Sequence, residues 1–374
     1  MPARNPECGA RGASGSSGSS VLRFSPAVSS RSTHRRRHRS ALLPSVLTFA
    51  VIVASGGLLL LIEKGLLNGM HTPSPLANGR KPEYRLAPRD PAVDVESQIL
   101  QDIRNRTIRA MCGHDNTAHS VWSLSSAQRK TLLQHILVNE KHRFLYCYVP
   151  KVACSNWKRV LKVLSGALTD VHVQVKMDHH ADLLFLSDFS PEEIRYRLSH
   201  YFKFMFVREP MARLLSAYRN KFGEIKAYQH KYGTEIIRRY RKGYAKNNLK
   251  VAGDDVTFAE FVRYLLDEDP ERMNEHWMPI YNLCQPCAVQ YNFIGSYERL
   301  ESDAAYVLEH IGAPQHVQFP ERQAWYKPVT KETLHYYLCT VPQKLLRELL
   351  PKYILDFSLF GYPLPNITTE YCRH

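Results

Sequence analysis

The sequence predicts an α/β protein with a central parallel sheet and flanking helices, preceded by an N-terminal transmembrane helix. At two places an apolar, aromatic or β-branched run of strand length ends near a proline, and apolar residues at helical spacing follow it. An uncharged run of 22 residues near the start is long enough to span a bilayer. With 374 residues and 44% hydrophobic content, the chain can bury one large core or two modest ones.

The first 96 residues divide into three predicted segments. Residues 1–40 are rich in Ser, Gly and Ala, hold eight Arg against one Glu, and predict a disordered cytoplasmic tail. Residues 41–62 are uncharged and follow a basic cluster, which predicts a signal-anchor helix with the rest of the chain in the lumen. A cleaved signal peptide is the alternative, but the run is long and no small-residue cleavage site clearly follows. Five prolines mark 63–96 as an extended stem, so the globular domain is expected over 97–374.

The most informative stretch begins with a buried-type strand at 144–149, which Pro150 stops. Ser155 then stands at the predicted N-cap of a helix that Gly166 closes. Free N–H groups at a helix start and the ammonium group of Lys151 would converge on one anion, which indicates a phosphate site. An ordinary strand–helix unit with a solvated lysine is the alternative.

A second strand–helix succession repeats this arrangement. Residues 201–208 predict another buried strand, and Pro210 suits the first turn of the helix that follows. Arg208 would lie at the carboxyl end of its strand, the edge where open α/β sheets bind ligands. Ser216, two turns into the helix, could face the same crevice. Two corners that each offer a cation and a hydroxyl suit a nucleotide with phosphates at both ends.

Long motifs at both corners resemble the Golgi carbohydrate sulfotransferases. Pro150-Lys-Val-Ala-Cys-Ser-Asn-Trp-Lys158 is similar to that family's 5′-phosphosulfate-binding loop, and residues 206–222 are similar to its 3′-phosphate-binding segment. The resemblance covers about residues 97–362 and implies a P-loop-like nucleotide-binding fold. Motifs that match the chondroitin, dermatan and HNK-1 branch are Asn274-Glu-His-Trp277, Leu283-Cys-Gln-Pro-Cys287, Gly295-Ser-Tyr-Glu298 and Tyr353-Ile-Leu-Asp-Phe357.

The resemblance implies an activity. A Golgi enzyme of this type moves a sulfuryl group from 3′-phosphoadenosine 5′-phosphosulfate to a sugar hydroxyl, without a metal. Within the branch, the implied acceptor is the 4-hydroxyl of N-acetylgalactosamine in dermatan sulfate, with chondroitin 4-O-sulfation as the near alternative. Because the loop lacks the glycines of the GxxxxGK[ST] pattern, an ordinary nucleotide triphosphatase is disfavoured.

Two functions of other classes remain as alternatives. A metal-dependent Golgi glycosyltransferase would use a DxD pattern, which Asp267-Glu-Asp269 matches, although this motif falls at what looks like an exposed helix end before Pro270. A non-catalytic glycosaminoglycan-binding protein would need a basic surface but neither Lys151 nor Arg208.

The same resemblance assigns roles to residues. Lys151 is expected to neutralise the charge that develops on the leaving oxygen, as in phosphoryl transfer. Arg208 and Ser216 are expected to hold the 3′-phosphate, with Arg213 as a further candidate. The residues expected to hold the 5′-phosphosulfate are Lys151, Val152, Ala153, Cys154, Ser155, Asn156 and Trp157.

A general base must take the proton of the acceptor hydroxyl, and the sequence leaves its identity open. His179 lies between the two donor segments, and His276 belongs to the Asn274-Glu-His-Trp277 motif. His180 and Glu209 are the other candidates.

A second concentration of charge predicts where the acceptor binds. Residues 219–250 carry ten Lys and Arg against two Glu, and five tyrosines interleave with them from Tyr218 to Tyr244. A solvated helix face is the alternative for many of these charges. The favoured interpretation is a rim that binds a glycosaminoglycan; nucleic acid would satisfy the same electrostatics but is not normally present in the lumen.

Cysteines and sequons complete the expectations for a luminal domain. Seven cysteines follow the membrane segment, so at least one is expected to be unpaired; Cys147 and Cys154 are predicted to be reduced. The Cys284-x-x-Cys287 pair is expected to form disulfides, with Cys112, Cys339 or Cys372 as partners, rather than half of a zinc site. The sequons at Asn105 and Asn366 predict N-glycosylation.

Overall fold

The computed structural model describes residues 91–113, 119–173, 178–243, 251–321, 327–367 and 372. The predicted tail, the membrane segment at 41–62 and the stem up to residue 90 lie outside these residues. None of the described helices combines the length and the apolar character that crossing a bilayer requires. The first helix begins at Pro91, inside the segment predicted as stem.

A five-stranded sheet lies at the centre of the described residues, in the order β3-β1-β2-β4-β5. Strands β2, β4 and β5 run parallel, whereas β1 is antiparallel to both of its neighbours. The strands are β1 (Ile136–Asn139), β2 (Phe144–Cys147), β3 (Leu184–Phe185), β4 (Phe202–Val207) and β5 (Phe293–Ser296).

The predicted α/β class is therefore confirmed, and the predicted all-parallel sheet is wrong at β1. Only residues 140–143 separate β1 from β2. A connection this short can join only antiparallel strands, because parallel strands need a crossover of a dozen or more residues. The part of the sheet that is parallel is the part that carries the two predicted corners, because β2 and β4 are neighbours and each leads into a helix.

Helices flank this sheet. They are α1 (Pro91–Cys112), α2 (Ser126–His135), α3 (Cys154–Leu164), α4 (Pro191–His200), α5 (Pro210–Gly223), α6 (Lys226–Tyr228), α7 (Thr234–Tyr240), α8 (Phe258–Asp267), α9 (Ile280–Cys284), α10 (Pro286–Val289), α11 (Leu300–His310), α12 (Lys331–Cys339), α13 (Gln343–Leu349) and α14 (Ile354–Phe360). A π-helical turn, Gln229–Gly233, joins α6 to α7.

The central strands are buried on both faces, which explains their continuous apolar sequences. All four residues of β2 and five of the six of β4 are buried. Trp157 of α3 lies against them: its ring is completely buried, 4.9 Å from the ring of Phe204 and 5.2 Å from that of Phe206. The aromatic side of β4 therefore fixes α3, and with it the loop that precedes α3.

Two disulfides attach the periphery to this core. Cys147 of β2 is bonded to Cys284 at the end of α9, and Cys112 at the end of α1 is bonded to Cys287 of α10. Both CxxC cysteines thus form disulfides, but only Cys287 has one of the predicted partners, and a third bond joins Cys339 to Cys372.

The prediction that Cys147 and Cys154 are reduced is wrong. The end of α9 reaches the buried strand that carries Cys147. Cys154 is disulfide-bonded as well, and no described cysteine is free.

Candidate active site

The loop between β2 and α3 turns through two left-handed residues. Lys151 has φ 69° and Ala153 has φ 55°, a conformation that residues with a Cβ atom rarely adopt. Ala153 is the N-cap of α3 and supplies no side-chain hydrogen bond, so nothing in its own side chain satisfies the N–H groups of the first turn. The predicted N-cap at Ser155 is wrong: the tight left-handed turn starts the helix at Cys154, and Ser155 lies in its first turn.

Side chains of this loop divide into two groups. Val152 and Trp157 are completely buried, so their side chains belong to the core and only their backbone can reach a donor. Ser155 and Asn156 are half-buried, and the Asn156 amide donates to the carbonyl of Pro320 at 3.1 Å. Among the residues predicted to hold the 5′-phosphosulfate, Ser155 and Asn156 therefore place polar side chains at the start of α3.

Lys151 connects the loop to the second corner. Its side chain is half-buried, and Nζ donates to Oδ1 of Asn220 on α5 at 2.5 Å. Its carbonyl oxygen accepts a hydrogen bond of 3.0 Å from the Arg208 guanidinium. Lys151 and Arg208, which were predicted at separate corners, are therefore in contact.

Arg208 is 2% exposed, and its guanidinium lies 4.0 Å from the ring centroid of Tyr297. Ser216 is also buried, two turns into α5. At the start of α5 the Glu209 carboxylate accepts from the N–H groups of Met211 and Ala212. Burial raises the pKa of Glu209, and the two backbone hydrogen bonds oppose that shift.

Arg213, predicted as a further phosphate ligand, is engaged elsewhere. Its guanidinium donates to the carbonyls of Pro150, Met278 and Glu275, at 3.0, 2.7 and 2.9 Å. The group is 2% exposed, and burial lowers its pKa to about 10. Arg213 therefore holds the β2–α3 loop and the segment 274–278 in place from within the core.

The segment 274–284 carries one of the predicted bases and is fixed from several sides. Besides Arg213 and the Cys147–Cys284 disulfide, Tyr353 donates to the carbonyl of Trp277 at 2.6 Å. The Asp356 carboxylate accepts from the N–H groups of Ile280 and Tyr281 at the start of α9. Because so many contacts converge, the position of this segment relative to the sheet is strongly determined.

His276 lies in this segment and is 1% exposed. Its Nδ1 is 2.8 Å from Oδ1 of Asn274 and 3.3 Å from the hydroxyl of Tyr228. Oε1 of Glu275 is 3.7 Å from the same nitrogen. Three polar groups thus surround one ring nitrogen, which determines the orientation of the imidazole.

His179, the other predicted base, lies outside the β2–α3 loop and contacts α3 through its backbone carbonyl. It is 6% exposed, and its carbonyl accepts from Nζ of Lys158 at 3.2 Å. The ring of His180 is stacked on Phe185, 5.6 Å away. Lys158 also lies 3.9 Å from the ring of Tyr148, the residue that follows β2 by one position.

Two buried lysines accompany these histidines. Burial lowers the pKa of Lys158 to about 7, and the Glu275 carboxylate partly opposes that shift. Burial lowers the pKa of Lys221 to about 7 as well, again opposed by Glu275. Nζ of Lys221 lies 3.9 Å from the ring of Tyr228, which in turn contacts His276.

Comparison with known proteins identifies this arrangement. Residues 134–363, more than half of the chain, match the model described as the sulfotransferase family. This chain belongs to the sulfotransferase family. It is 77% identical to carbohydrate sulfotransferase 14 of Danio rerio over the whole of both chains, and 63% identical to the Homo sapiens protein of that name over 89% of each. Carbohydrate sulfotransferase 11 of Mus musculus is 38% identical, over 75% of this chain and 84% of its own. No solved structure matches.

The basic segment of this sulfotransferase is partly structural. In residues 219–243, Lys221 is buried and Arg241 makes hydrogen bonds to Glu260 and Asp255. The exposed cations are Lys226, Lys231, Arg238, Arg239 and Lys242, and residues 244–250 lie outside the described residues.

The tyrosines predicted as sugar platforms pack inward where they are described. The rings of Tyr228 and Tyr232 meet that of Trp277 edge-on, and the hydroxyl of Tyr218 donates to the carbonyl of Val256. Tyr240 is half-buried and donates to Asp267, and Tyr244 is outside the described residues. The sugar-platform interpretation is therefore weakened for the four described tyrosines.

The DxD motif has the position that the sequence indicated. Helix α8 ends at Asp267, whose carboxylate accepts from Tyr240 at 2.5 Å. Asp269 accepts from the N–H of Glu271 and forms an ion pair with Arg272. Protein groups thus occupy both carboxylates of the motif.

The two sequons differ in setting. Asn105 lies in the middle of α1 and is half-buried, whereas Asn366 is exposed beyond α14. Glycosylation at either asparagine stays a prediction.

Several residues of the site were not predicted from sequence. Glu275, Tyr148, Lys158, Lys221 and Asn220 all reach it through burial or long-range contacts. Lys158, Asn220 and Lys221 lie within motifs quoted for the family resemblance, and Glu275 lies within Asn274-Glu-His-Trp277, but none of them had been given a role at the site. Lysines and a carboxylate within apolar stretches are a weaker signal, which becomes informative only when burial is known.

Proposed function

We propose that this chain is a carbohydrate sulfotransferase that moves the sulfuryl group of 3′-phosphoadenosine 5′-phosphosulfate to the 4-hydroxyl of N-acetylgalactosamine in dermatan sulfate. Family membership supports the donor, and the names of its relatives support a carbohydrate acceptor. The choice of dermatan rests on the 77% and 63% identity to carbohydrate sulfotransferase 14 of Danio rerio and Homo sapiens, against 38% to carbohydrate sulfotransferase 11 of Mus musculus. The alternative acceptor is chondroitin.

One observation carries the donor assignment: the Arg208 guanidinium donates to the carbonyl of Lys151, which joins the two strand–helix corners. A helix start without a side-chain cap and a lysine at its loop suit a sulfonated phosphate. A buried arginine beside it suits a second phosphate. The residues present therefore fit a nucleotide with phosphate groups at both ends.

The bound donor supplies an activated sulfuryl group, and the protein residues position it and balance charge. Lys151 neutralises the leaving oxygen, while the backbone of 151–157 with Ser155 and Asn156 holds the 5′ end. Arg208 and Ser216 hold the 3′-phosphate. Arg213 acts indirectly, because it holds the carbonyl of Pro150 and so fixes the loop.

The acceptor proton needs a base, and the geometry favours His276 over His179. Asn274, Tyr228 and Glu275 surround Nδ1 of His276, so that the opposite nitrogen, Nε2, is the one that can accept a proton. His179 contacts the cluster through its carbonyl. We therefore assign the base role to His276 and keep His179 as the alternative.

The cellular setting follows from the sequence. We propose a single-pass type II protein of the Golgi membrane with 41–62 as the anchor, a stem to about 96 and a luminal catalytic domain. Exposed cations between Lys226 and Lys242 supply a surface for the anionic polymer, and Asn105 and Asn366 are the proposed glycosylation sites.

The test uses the full-length chain in detergent with radiolabelled donor and a chelator present. Desulfated dermatan and desulfated chondroitin are offered separately, and the Lys151→Ala chain is the control. We expect chelator-resistant label on dermatan that is lost in the variant. Preference for chondroitin would keep the reaction and change the acceptor. In a parallel reaction without chelator, manganese-dependent transfer from a labelled nucleotide sugar would replace the proposal with the glycosyltransferase, and failure of the chain to retain the radiolabelled donor in a binding assay would overturn it.

A further inference from the structure

A cluster of buried ionisable groups lies beneath the two corners, and its centre is the Glu275 carboxylate. Glu275 is 5% exposed, and its Oε2 is 2.9 Å from Nε2 of His135. Its Oε1 is 3.7 Å from Nδ1 of His276, and its carbonyl oxygen accepts from Arg213. One residue thus contacts the end of α2, the proposed base and the arginine that holds the donor loop.

The charges around this carboxylate are unbalanced. The ionisable groups that face it come from the elements packed against it: His135 of α2, Tyr148 after β2, Lys158 of α3, Arg213 and Lys221 of α5, Tyr228 of α6 and His276 of its own segment. Three of them, Lys158, Arg213 and Lys221, are buried cations, and the Glu275 carboxylate acts on each of them. Removing an isolated carboxylate from such a group leaves uncompensated positive charge in the core.

We propose that Glu275 is a positioning residue of the transfer reaction: it fixes His135 and His276 and keeps the buried lysines beside the donor site charged. His135 donates from Nε2 to Oε2, and its Nδ1 lies 2.7 Å from the carbonyl of Thr131. With Oε2 bonded to His135, the other carboxylate oxygen, Oε1, faces His276. The inference rests on the proposed transfer reaction and adds to it the group that sets the protonation of the site.

The mechanism gives the pH dependence a definite sign. A base must be neutral, so activity falls on the acid side where His276 gains a proton, and the carboxylate at 3.7 Å favours that proton. Buried ammonium groups must be charged, so activity falls on the alkaline side where they lose a proton, which the carboxylate delays. Removing the negative charge therefore moves both limbs of the pH–activity profile to lower pH.

The experiment compares full-length Glu275→Gln with Glu260→Gln, a matched control. Glu260 is 8% exposed and bonded to Arg241, so its loss also removes a buried carboxylate from an ion pair. We expect Glu275→Gln to lower kcat by at least about tenfold. We expect both limbs to move by about one pH unit towards acid, with donor KM changed less than kcat. Glu260→Gln should lower Tm and leave the profile unmoved.

Glu275→Asp distinguishes the effect of orientation from the effect of charge. It is also the variant to measure if Glu275→Gln does not fold. It keeps the negative charge but shortens the reach to His135, so kcat should fall while both limbs stay near their wild-type positions. An unmoved profile in Glu275→Gln, with only a lower Tm, would overturn the inference and leave Glu275 a structural residue. Wild-type chain that transfers no sulfuryl group at all would instead contradict the proposed function.

Discussion

The two strand–helix corners share a plan but differ at the start of their helices. At the first corner, the N-cap of α3 is Ala153 in a left-handed conformation, with no side-chain hydrogen bond to the helix start. At the second, the Glu209 carboxylate accepts from two N–H groups of the first turn of α5. A carboxylate in that place competes with any external anion for the helix start.

The difference assigns separate means of binding to the two corners. The α3 corner can hold an anion with backbone N–H groups and Lys151, as phosphate-binding loops do. Because Glu209 occupies the start of α5, the second corner must bind its phosphate through side chains, chiefly Arg208. Loss of the Lys151 side chain should therefore lower the rate of transfer, whereas loss of the Arg208 side chain should weaken donor binding.

The largest expected effect is that of Lys151→Ala. Loss of the ammonium group should lower kcat by about a thousandfold, because it removes the cation that stabilises charge on the leaving oxygen. Stability should change by no more than about 0.5 kcal/mol, since the half-buried side chain contributes little packing. Transfer rates with labelled donor and thermal unfolding measure the two effects. Lys130→Ala, an exposed lysine of α2 outside the proposed site, is the control, and near-wild-type transfer in Lys151→Ala would assign the chemistry elsewhere.

Arg208→Ala should act on affinity. Its charge-assisted hydrogen bonds to a phosphate contribute about 2–3 kcal/mol when buried, so the donor should bind roughly 30- to 150-fold more weakly. Calorimetric titration of the nucleotide product, which retains the 3′-phosphate, measures this change. The analogue without the 3′-phosphate should bind wild type and variant about equally. If the variant discriminates between the two nucleotides as wild type does, Arg208 does not contact the 3′-phosphate.

The sequence predicted the parts of this site that depend on local pattern. Strands β2 and β4 were located to within two residues of their observed ends, because both are continuous apolar runs that prolines follow closely. The position of Arg208 at the end of β4 was also correct, and Pro210 does begin α5.

What the sequence missed depends on contacts that pattern does not encode. The left-handed Ala153 has no signal, since glycine would be expected at such a turn. The Cys147–Cys284 bond spans 137 residues, and the burial of Glu275 depends on that same long-range packing. Ser155 was preferred as the N-cap because its residue type is typical of caps, yet the chain turned two residues earlier.

Glu209→Ala tests the closed helix start of α5. Loss of a cap that accepts two hydrogen bonds should lower the free energy of unfolding by about 1 kcal/mol, with donor affinity nearly unchanged. Ser190→Ala removes the N-cap of α4, which has no part in the proposed site, and should cost a similar amount. Denaturant unfolding gives both values. Loss of transfer in Glu209→Ala despite normal donor binding would make Glu209 the base in place of His276.

Ala153→Gly gives the smallest expected effect and tests the open helix start of α3. Glycine adopts φ 55° without the steric cost that alanine has there, so the left-handed turn itself should become more favourable. Glycine also makes the unfolded chain more flexible, which offsets part of the gain, and the net stabilisation should be about 0.5 kcal/mol.

Ala305→Gly, in the middle of α11, is the matched control and should be destabilised by about 0.5–1 kcal/mol, because its backbone is helical. Opposite signs for the two substitutions in denaturant unfolding would demonstrate the left-handed cap. Equal destabilisation would contradict it and remove the structural reason for an uncapped α3. Donor affinity of Ala153→Gly should stay within about twofold of wild type, since the N–H groups that bind the anion belong to the backbone and survive the change.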